Sequence, residues 1–266
     1  MKVNGKEIKP IFIIGHGRSG TTFTGRVFNQ HPEIYATIEE KSWFQPFAEI
    51  AFNPNKNLKK VPELIHKQKR HLKRKCNRPV WVDKTHPLVL LREIVEEYYP
   101  EALLIHILRN PFDTYCSMIR HKGVMTWFKR YGEVFGKGGN TFLGTDENLE
   151  NRYHLLTDVQ KIAYRWRSWV ERGLKWEKES DNVLTINYEN MIQNPRKTFM
   201  CATKFLGIKS PPKWLEWISE NIRINSINRY KNDMTKSNLN EMNIILQDFL
   251  NKYEQLQQYA RVLEIT

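Results

Sequence analysis

The sequence reads as an α/β protein with a mainly parallel central sheet flanked by helices, on three observations. An apolar run, Ile11 to Ile14, leads into a turn rich in glycine and hydroxyl residues, Gly15 to Thr22, and then into a helical stretch through Val27 and Phe28. Further apolar runs (Pro79 to Val82, Ala102 to Leu108, Asn182 to Glu189 with its exit) alternate with helical stretches, which implies parallel strands joined by crossovers. At 266 residues the chain can bury a sizeable core in one such domain.

The first unit organises the rest. Ile11 to Ile14 suits a buried parallel strand, and the helix that follows stops near His31–Pro32, where proline cannot continue it. Strand, glycine turn and helix N-terminus form an anion-binding device, because free amides and the positive end of the helix dipole face one point. Gly17 and Gly20 permit close backbone approach, Thr21 and Thr22 add hydroxyls, and Arg18 adds a fixed charge. The reading is a phosphate or sulfate cradle. An ordinary strand-to-helix turn seldom carries Arg-Ser-Gly-Thr-Thr together. The sharper rival is a Rossmann-type NAD(P) protein: Gly15 to Gly20 satisfies G-x-G-x-x-G, and a strand from Ile34 to Ile38 ends at Glu39, about 20 residues on. A Walker A loop fits less well, since no Lys precedes the Ser/Thr.

After this unit, Glu39 and Glu40 lie just beyond a strand end, where parallel sheets build their sites. Residues 53–60 read as a polar linker. Val61 to Arg78 is a very basic helical stretch, HKQKRHLKRKCNR at its end, with few aromatics to stack on bases. It reads first as a solvated face and second as a polyanion-binding module. The strand at Pro79 ends in Asp83-Lys84-Thr85-His86-Pro87, a helix runs from Leu88 to Tyr99, and the strand at Ala102 ends in Arg109-Asn110-Pro111. Lys84, His86 and Arg109 thus fall at carboxyl ends of strands, and Ser117 lies two turns into the helix that Pro111 opens.

Residues 122–150, with six glycines and the aromatics Trp127, Phe128, Tyr131, Phe135 and Phe142 between them, read as a lid or acceptor loop. Trp166, Trp169 and Trp176 read as core. Helices from Pro195 to Leu206 and from Pro211 to Ile222 cover the sheet, and a polar loop from Ser226 to Lys231 returns two cations. The end, over 237–262, is an amphipathic helix with Leu239, Met242, Ile245, Leu246, Phe249, Leu250 and Tyr253 on one face. The expectation is one domain over residues 1–266.

Charge and cysteines bound the function. The net charge is +13, from 42 Lys and Arg against 29 Asp and Glu, which favours anionic partners. Cys76, Cys116 and Cys201 form neither a CxxC nor an even-numbered framework, so a reducing cytoplasm is the expected location. No stretch approaches the ~18 apolar residues of a transmembrane helix, and the first ten residues lack an apolar signal core.

Several motifs in order resemble the sulfotransferases that use 3′-phosphoadenosine 5′-phosphosulfate (PAPS). Gly17-Arg18-Ser19-Gly20-Thr21-Thr22 is similar to that family's 5′-phosphosulfate loop. Leu108-Arg109-Asn110-Pro111-x-Asp113-x-x-x-Ser117 resembles its 3′-phosphate motif, in which the Arg and Ser bind that phosphate. Tyr188-Glu189-Asn190-Met191, then Asn194-Pro195 and Phe205-Leu206-Gly207, resembles its Tyr-Glu-x-Leu, x-Pro and Phe-Leu-Gly run. Asn228-Arg229-Tyr230-Lys231 is similar to its late nucleotide-gripping loop. The resemblance covers nearly the whole chain. It implies a P-loop-like sulfotransferase fold, PAPS as donor, 3′-phosphoadenosine 5′-phosphate (PAP) as product and no metal. Binding would fall to Gly17 through Thr22, Arg109, Ser117, Tyr188 and Arg229 through Lys231. A small-molecule or carbohydrate acceptor is expected, and no nucleic acid; the dinucleotide rival has no use for Arg109 and Ser117.

Sulfuryl transfer moves a group in line between oxygens, so the protein must align both reactants and stabilise charge on the bridging oxygen. The loop amides with Arg18 and Lys84 suit that role. For the general base, Glu39, 21 residues after Arg18, resembles the catalytic Glu of tyrosylprotein and some carbohydrate sulfotransferases. Lys84-Thr85-His86 resembles the Lys-Thr-His of cytosolic sulfotransferases, whose His is the base, although Pro87 follows His86 directly here. The order of preference is Glu39, His86, Glu40.

Overall fold

The computed structural model describes residues 1–3, 5–130, 139–222 and 227–260. Residues 131–138 of the expected lid, Ser226 of the polar loop and the last residues of the C-terminal stretch lie outside them. The chain divides into two compact units, one of Met1–Leu108 with Arg172–Ile224 and one of Arg109–Glu171 with Asn225–Thr266.

The first unit holds the sheet. After the short antiparallel pair β1 (Lys2–Val3) and β2 (Lys6–Glu7) come β3 (Lys9–Gly15), β4 (Ile34–Ile38), β5 (Val80–Lys84), β6 (Leu103–Leu108) and β7 (Val183–Asn187). The last five form one parallel sheet in the order β4-β5-β3-β6-β7. The apolar run of β3 is fully buried because the strand has a neighbour on each side, with Ile11 beside Val82 and Leu103. Aromatic packing seals the layers. Phe12 meets Trp81 and Tyr99 at 5.5 and 5.1 Å, and Phe28 of α1 (Thr21–Asn29) meets Phe199 and Trp214 at 5.6 and 6.2 Å.

The order of strands also separates this sheet from a dinucleotide fold. There, the strand carrying the acidic residue lies beside the strand that precedes the glycine turn. Here β5 intervenes between β4 and β3.

Several boundaries differ from expectation, each for a local reason. The polar linker is helical: Pro54 starts α3 (Pro54–Asn57) after α2 (Lys41–Phe52), and a 3₁₀ turn spans Leu58–Lys60. The basic helix α4 (Val61–Lys75) ends early, where Cys76 turns extended. It buries Val61, Leu64, Ile65, Gln68 and Leu72 and leaves Lys67, Lys69, Arg70, Lys73, Arg74 and Lys75 exposed, as a solvated face would. The stretch from Leu88 to Tyr99 is divided into a 3₁₀ helix, His86–Leu90, and α5 (Arg92–Tyr98), because the run Pro87 to Leu91 is wholly buried and has no helical period.

One close approach decides how a long helix meets the sheet. Gly173, in the later part of the helix Asp158–Glu179, lies against the buried ring of His106, where a Cβ would come within 2.3 Å of Nε2. The other ring nitrogen, Nδ1, is 3.0 Å from the Thr185 hydroxyl.

The second unit is helical. It contains α6 (Pro111–Ile119), α7 (Lys122–Lys129), α8 (Glu147–Glu150) and the earlier part of α9, the helix Asp158–Glu179 just described. Trp166 and Trp169 are core, as expected, and their indole N–H groups donate to the carbonyls of Arg109 and Phe142 at 3.2 and 2.9 Å. Arg165 is buried over the rings of Phe142, Trp169 and Phe128 at 4.3, 4.9 and 5.6 Å. In the first unit, β7 runs into α10 (Tyr188–Gln193), followed by α11 (Pro195–Leu206) and α12 (Pro212–Asn221). The later loop of the second unit is not all loop, since Tyr230–Asp233 closes one helical turn, α13. The amphipathic end is two helices, α14 (Lys236–Lys252) and α15 (Glu254–Ala260), interrupted where Tyr253 turns extended.

Candidate active site

The site in the first unit starts at the carboxyl end of β3. Gly15, Arg18 and Gly20 all have positive φ (135°, 71° and 96°), which coils the backbone into a nest of amides. Gly20 is the N-cap of α1 and brings no side-chain cap, and no acid sits in the first turn. The first amides of α1 are therefore turned to an incoming anion. Ser19 and Thr21 are buried, whereas Arg18 is exposed.

Two residues from elsewhere fix this loop. Tyr188, at the start of α10, lays its ring on Gly20, where a Cβ would meet the ring at 2.4 Å. His86 sets its ring edge on Gly17, with Nε2 3.3 Å from where a Cβ would stand. The structure places Tyr188, which the resemblance assigns to the nucleotide, with its ring against the glycine loop.

Beside the loop, at the end of β5, the Lys84 side chain is 1% exposed. Its Nζ pairs with Oε1 of Glu39, which is 43% exposed, and lies 3.0 Å from Nδ1 of His86. The Thr22 hydroxyl donates to the same Glu39 oxygen at 3.4 Å. Phe44 of α2 closes the cluster, its ring 5.4 Å from the Lys84 amine and 5.4 Å from the His86 ring. Burial pushes the Lys84 amine down; Glu39 opposes this and the Arg18 charge adds to it. Burial likewise pushes the neighbouring Asp83 carboxyl up to about 6, against hydrogen bonds from Thr37 and Trp43.

The structure thus brings together Gly17 to Thr22, Glu39, Lys84, His86 and Tyr188. Glu40 serves the helix instead: it is the N-cap of α2, and Ser42 Oγ donates to its carboxylate at 3.1 Å. Phe44 and Asp83 escaped sequence reasoning as parts of the site. The only signal for Phe44 was an aromatic one helical turn past the paired acids.

In the second unit, Arg109 is buried and Ser117 half-buried on α6, whose N-cap Asn110 accepts from the amides of Phe112 and Asp113 at 2.8 and 3.2 Å. Asp113 accepts from the amides of Asn228 and Tyr230 at 2.8 and 3.0 Å and so holds the loop that carries Arg229 and Lys231. Arg229 and Lys231 are exposed, while Tyr230 is buried with its ring 5.5 Å from Phe112. Among the described residues no cluster of three or more His, Cys, Asp or Glu is placed to hold a metal ion, and no helix is long and apolar enough to cross a membrane.

The family described as the sulfotransferase domain matches residues 9–257. The chain belongs to that family. This sulfotransferase is also similar in fold to the mouse sulfotransferase SULT7A1 solved with PAP, at 17% identity and a TM-score of 0.57, covering 97% of this chain and 92% of that one. The sulfotransferase domain of the Synechococcus PCC 7002 olefin synthase matches at 16% identity and 0.54, covering 96% and 98%. Sulfotransferase STF9 from Mycobacterium avium matches at 13% identity and 0.54, covering 93% and 77%. No curated protein matches the sequence significantly. The chain is therefore an enzyme of sulfuryl transfer, and nothing supports the oxidoreductase reading.

Proposed function

We propose that this sulfotransferase takes the sulfuryl group from PAPS and passes it to a hydroxyl (or amine) of a small-molecule or carbohydrate acceptor, releasing PAP. The observation that carries the reading is the buried Lys84 amine held between Glu39 and His86, beside the uncapped start of α1. The loop fits such a donor: glycines at Gly17 and Gly20, unclaimed helix amides and the Arg18 cation suit a phosphosulfate. The PAP held by the mouse relative supports the same donor.

In this reading the amides of Gly20 to Thr22 and the Arg18 guanidinium orient the 5′-phosphosulfate; the Ser19 amide, expected to join them, donates instead to the His16 carbonyl at 3.2 Å and so braces the turn. Arg109 and Ser117 take the 3′-phosphate, an assignment made on the sequence motif; a guanidinium grips phosphate bidentately. Tyr188, Arg229, Tyr230 and Lys231 complete the nucleotide-binding set, the two tyrosines through the loops they hold.

Glu39 is the proposed base. Its carboxylate meets Thr22 and Lys84 through Oε1, and Oε2 is the proposed proton acceptor. As the acceptor O–H gives its proton to Oε2, its oxygen bonds to sulfur and the bond from sulfur to the bridging phosphate oxygen breaks, its electron pair leaving on PAP. Protonating Glu39 removes the charge that holds Lys84. The amine, pushed down by burial, is then a readier donor to the bridging oxygen.

His86 is the second reading, and its geometry argues for a different role. An ammonium at Lys84 can only donate to Nδ1, so the neutral ring carries its proton on Nε2, the nitrogen at Gly17. A donor there suits an anion rather than an acceptor's proton. The free thiols Cys76, Cys116 and Cys201 support a reducing cytoplasm as the enzyme's location.

Transfer of labelled sulfuryl from PAPS, screened across sugars, phenols, alcohols and amines, identifies the acceptor. With it, Glu39→Gln lowers single-turnover transfer about 10²-fold or more at unchanged PAP affinity. Unchanged transfer moves the role to His86. Equal affinity of the wild type for PAP and for the nucleotide lacking the 3′-phosphate contradicts the donor.

A further inference from the structure

Glu39 stands in a turn that ordinary side chains avoid, at φ 51°, between the end of β4 and the cap of α2. Both arms of that turn reach one buried atom. From the β4 side the Thr37 hydroxyl donates to Oδ1 of Asp83 at 2.7 Å, and from the α2 side the Trp43 indole N–H donates to the same oxygen at 3.2 Å. The Trp81 indole in turn donates to the Thr37 oxygen at 2.8 Å, so the hydroxyl's one proton is directed at Asp83. All four residues are buried. Between the two arms, the Glu39 amide donates to the carbonyl of Lys84, the residue after Asp83.

We propose that Asp83 is a positioning residue that clamps the Glu39 turn, with Thr37 and Trp43 as the jaws. The inference rests on Glu39 as the base. A left-handed glutamate persists only where its surroundings over-determine it. Here the same strand end supplies the carboxylate that grips the turn, the carbonyl that holds its amide and the amine that meets its side chain. A simple core network has no reason to send two donors from opposite sides of one strained residue to a single oxygen. The clamp gives that convergence a purpose: it fixes Oε2 against the acceptor without spending a contact of Glu39 itself.

The test uses the full chain with the acceptor that the screen above returns. Thr37→Val and Trp43→Phe each remove one jaw, and Thr37→Ser keeps the hydroxyl. Expected are a single-turnover rate at least tenfold lower in Thr37→Val and in Trp43→Phe, PAP affinity within twofold of wild type, and recovery in Thr37→Ser. In a Glu39→Gln background, Thr37→Val lowers the rate no further, since the clamp acts through Glu39. Hydrogen exchange gives an independent measure: the Glu39 amide exchanges faster in Thr37→Val and Trp43→Phe but not in Thr37→Ser. Unaltered exchange at Glu39, or a Thr37→Val loss that multiplies with that of Glu39→Gln, overturns the clamp. Full activity of Glu39→Gln alone overturns the base assignment instead, and the exchange result still stands or falls by itself.

Discussion

The ε-amino group of Lys84 sits between two partners, the Glu39 carboxylate on one side and Nδ1 of His86, at 3.0 Å, on the other. In the proposed mechanism, removing the amine leaves the growing charge on the bridging oxygen without its donor. Lys84→Met is expected to lower single-turnover transfer by about 10²- to 10³-fold. Lys84→Arg does not restore it, because the planar guanidinium cannot occupy a point-charge site walled by Glu39, His86 and Phe44. Rapid-quench assays with labelled donor measure both.

Gly20 answers for the loop. It needs φ 96° and has the Tyr188 ring where a Cβ would go. Gly20→Ala should weaken PAP binding by about tenfold or more, since one strained residue costs on the order of 1–3 kcal/mol. Titration calorimetry reads it, and Tyr188→Leu in the same chain relieves the clash but not the backbone strain, so binding recovers only in part.

His106 makes stability depend on pH. Burial pushes its ring down to about 4 from 6.5, so the folded protein keeps it neutral where the unfolded chain takes a proton. Between pH 6.5 and 4 the unfolded state binds a proton at His106 that the folded state does not, so this group's contribution falls as pH drops, by about 3 kcal/mol once below 4. The Asp83 carboxyl, raised to about 6 by burial, acts in the opposite sense over much of the same range, so the His106 share is read as the pH-dependent difference between wild type and His106→Gln in urea unfolding.

Asp113 is the counterpart in the second unit. Its two oxygens accept from the amides of Asn228 and Tyr230. Asp113→Ala leaves both amides without that acceptor, at a cost of about 1–3 kcal/mol each where they are buried. Hydrogen exchange at Asn228 and Tyr230 should accelerate in Asp113→Ala, and only in part in Asp113→Asn, which keeps one carbonyl acceptor.

Much of this was legible in the chain itself. The β3–loop–α1 unit is local, and its strand, glycines and helix follow one another within about twenty residues, so propensity and pattern suffice. The same holds for the strands ending at Lys84 and Leu108. What stayed hidden was set by distant contacts. Nothing local marks Glu40 as a cap and Glu39 as the group that meets Lys84; the two acids differ only through the strained turn and the strand end beside it. Nothing local sets Phe44 apart either; it joins the site because the Lys84 amine, at the end of β5, and the His86 ring each come within 5.4 Å of its ring. The helical turn at Tyr230–Asp233 was equally invisible, because Asp113, more than a hundred residues earlier, supplies the acceptor that fixes it.

The place of β4 at the rim of the sheet has a consequence for where the chain can absorb change. The strand that feeds the donor loop is hemmed in by two partners, and any shift there disturbs three ribbons at once. The strand that delivers Glu39 borders a single partner, but the chain beyond it turns inward as α2, which buries Trp43, Phe47, Ile50 and Phe52, so a change next to Glu39 is felt in the interior even at the rim.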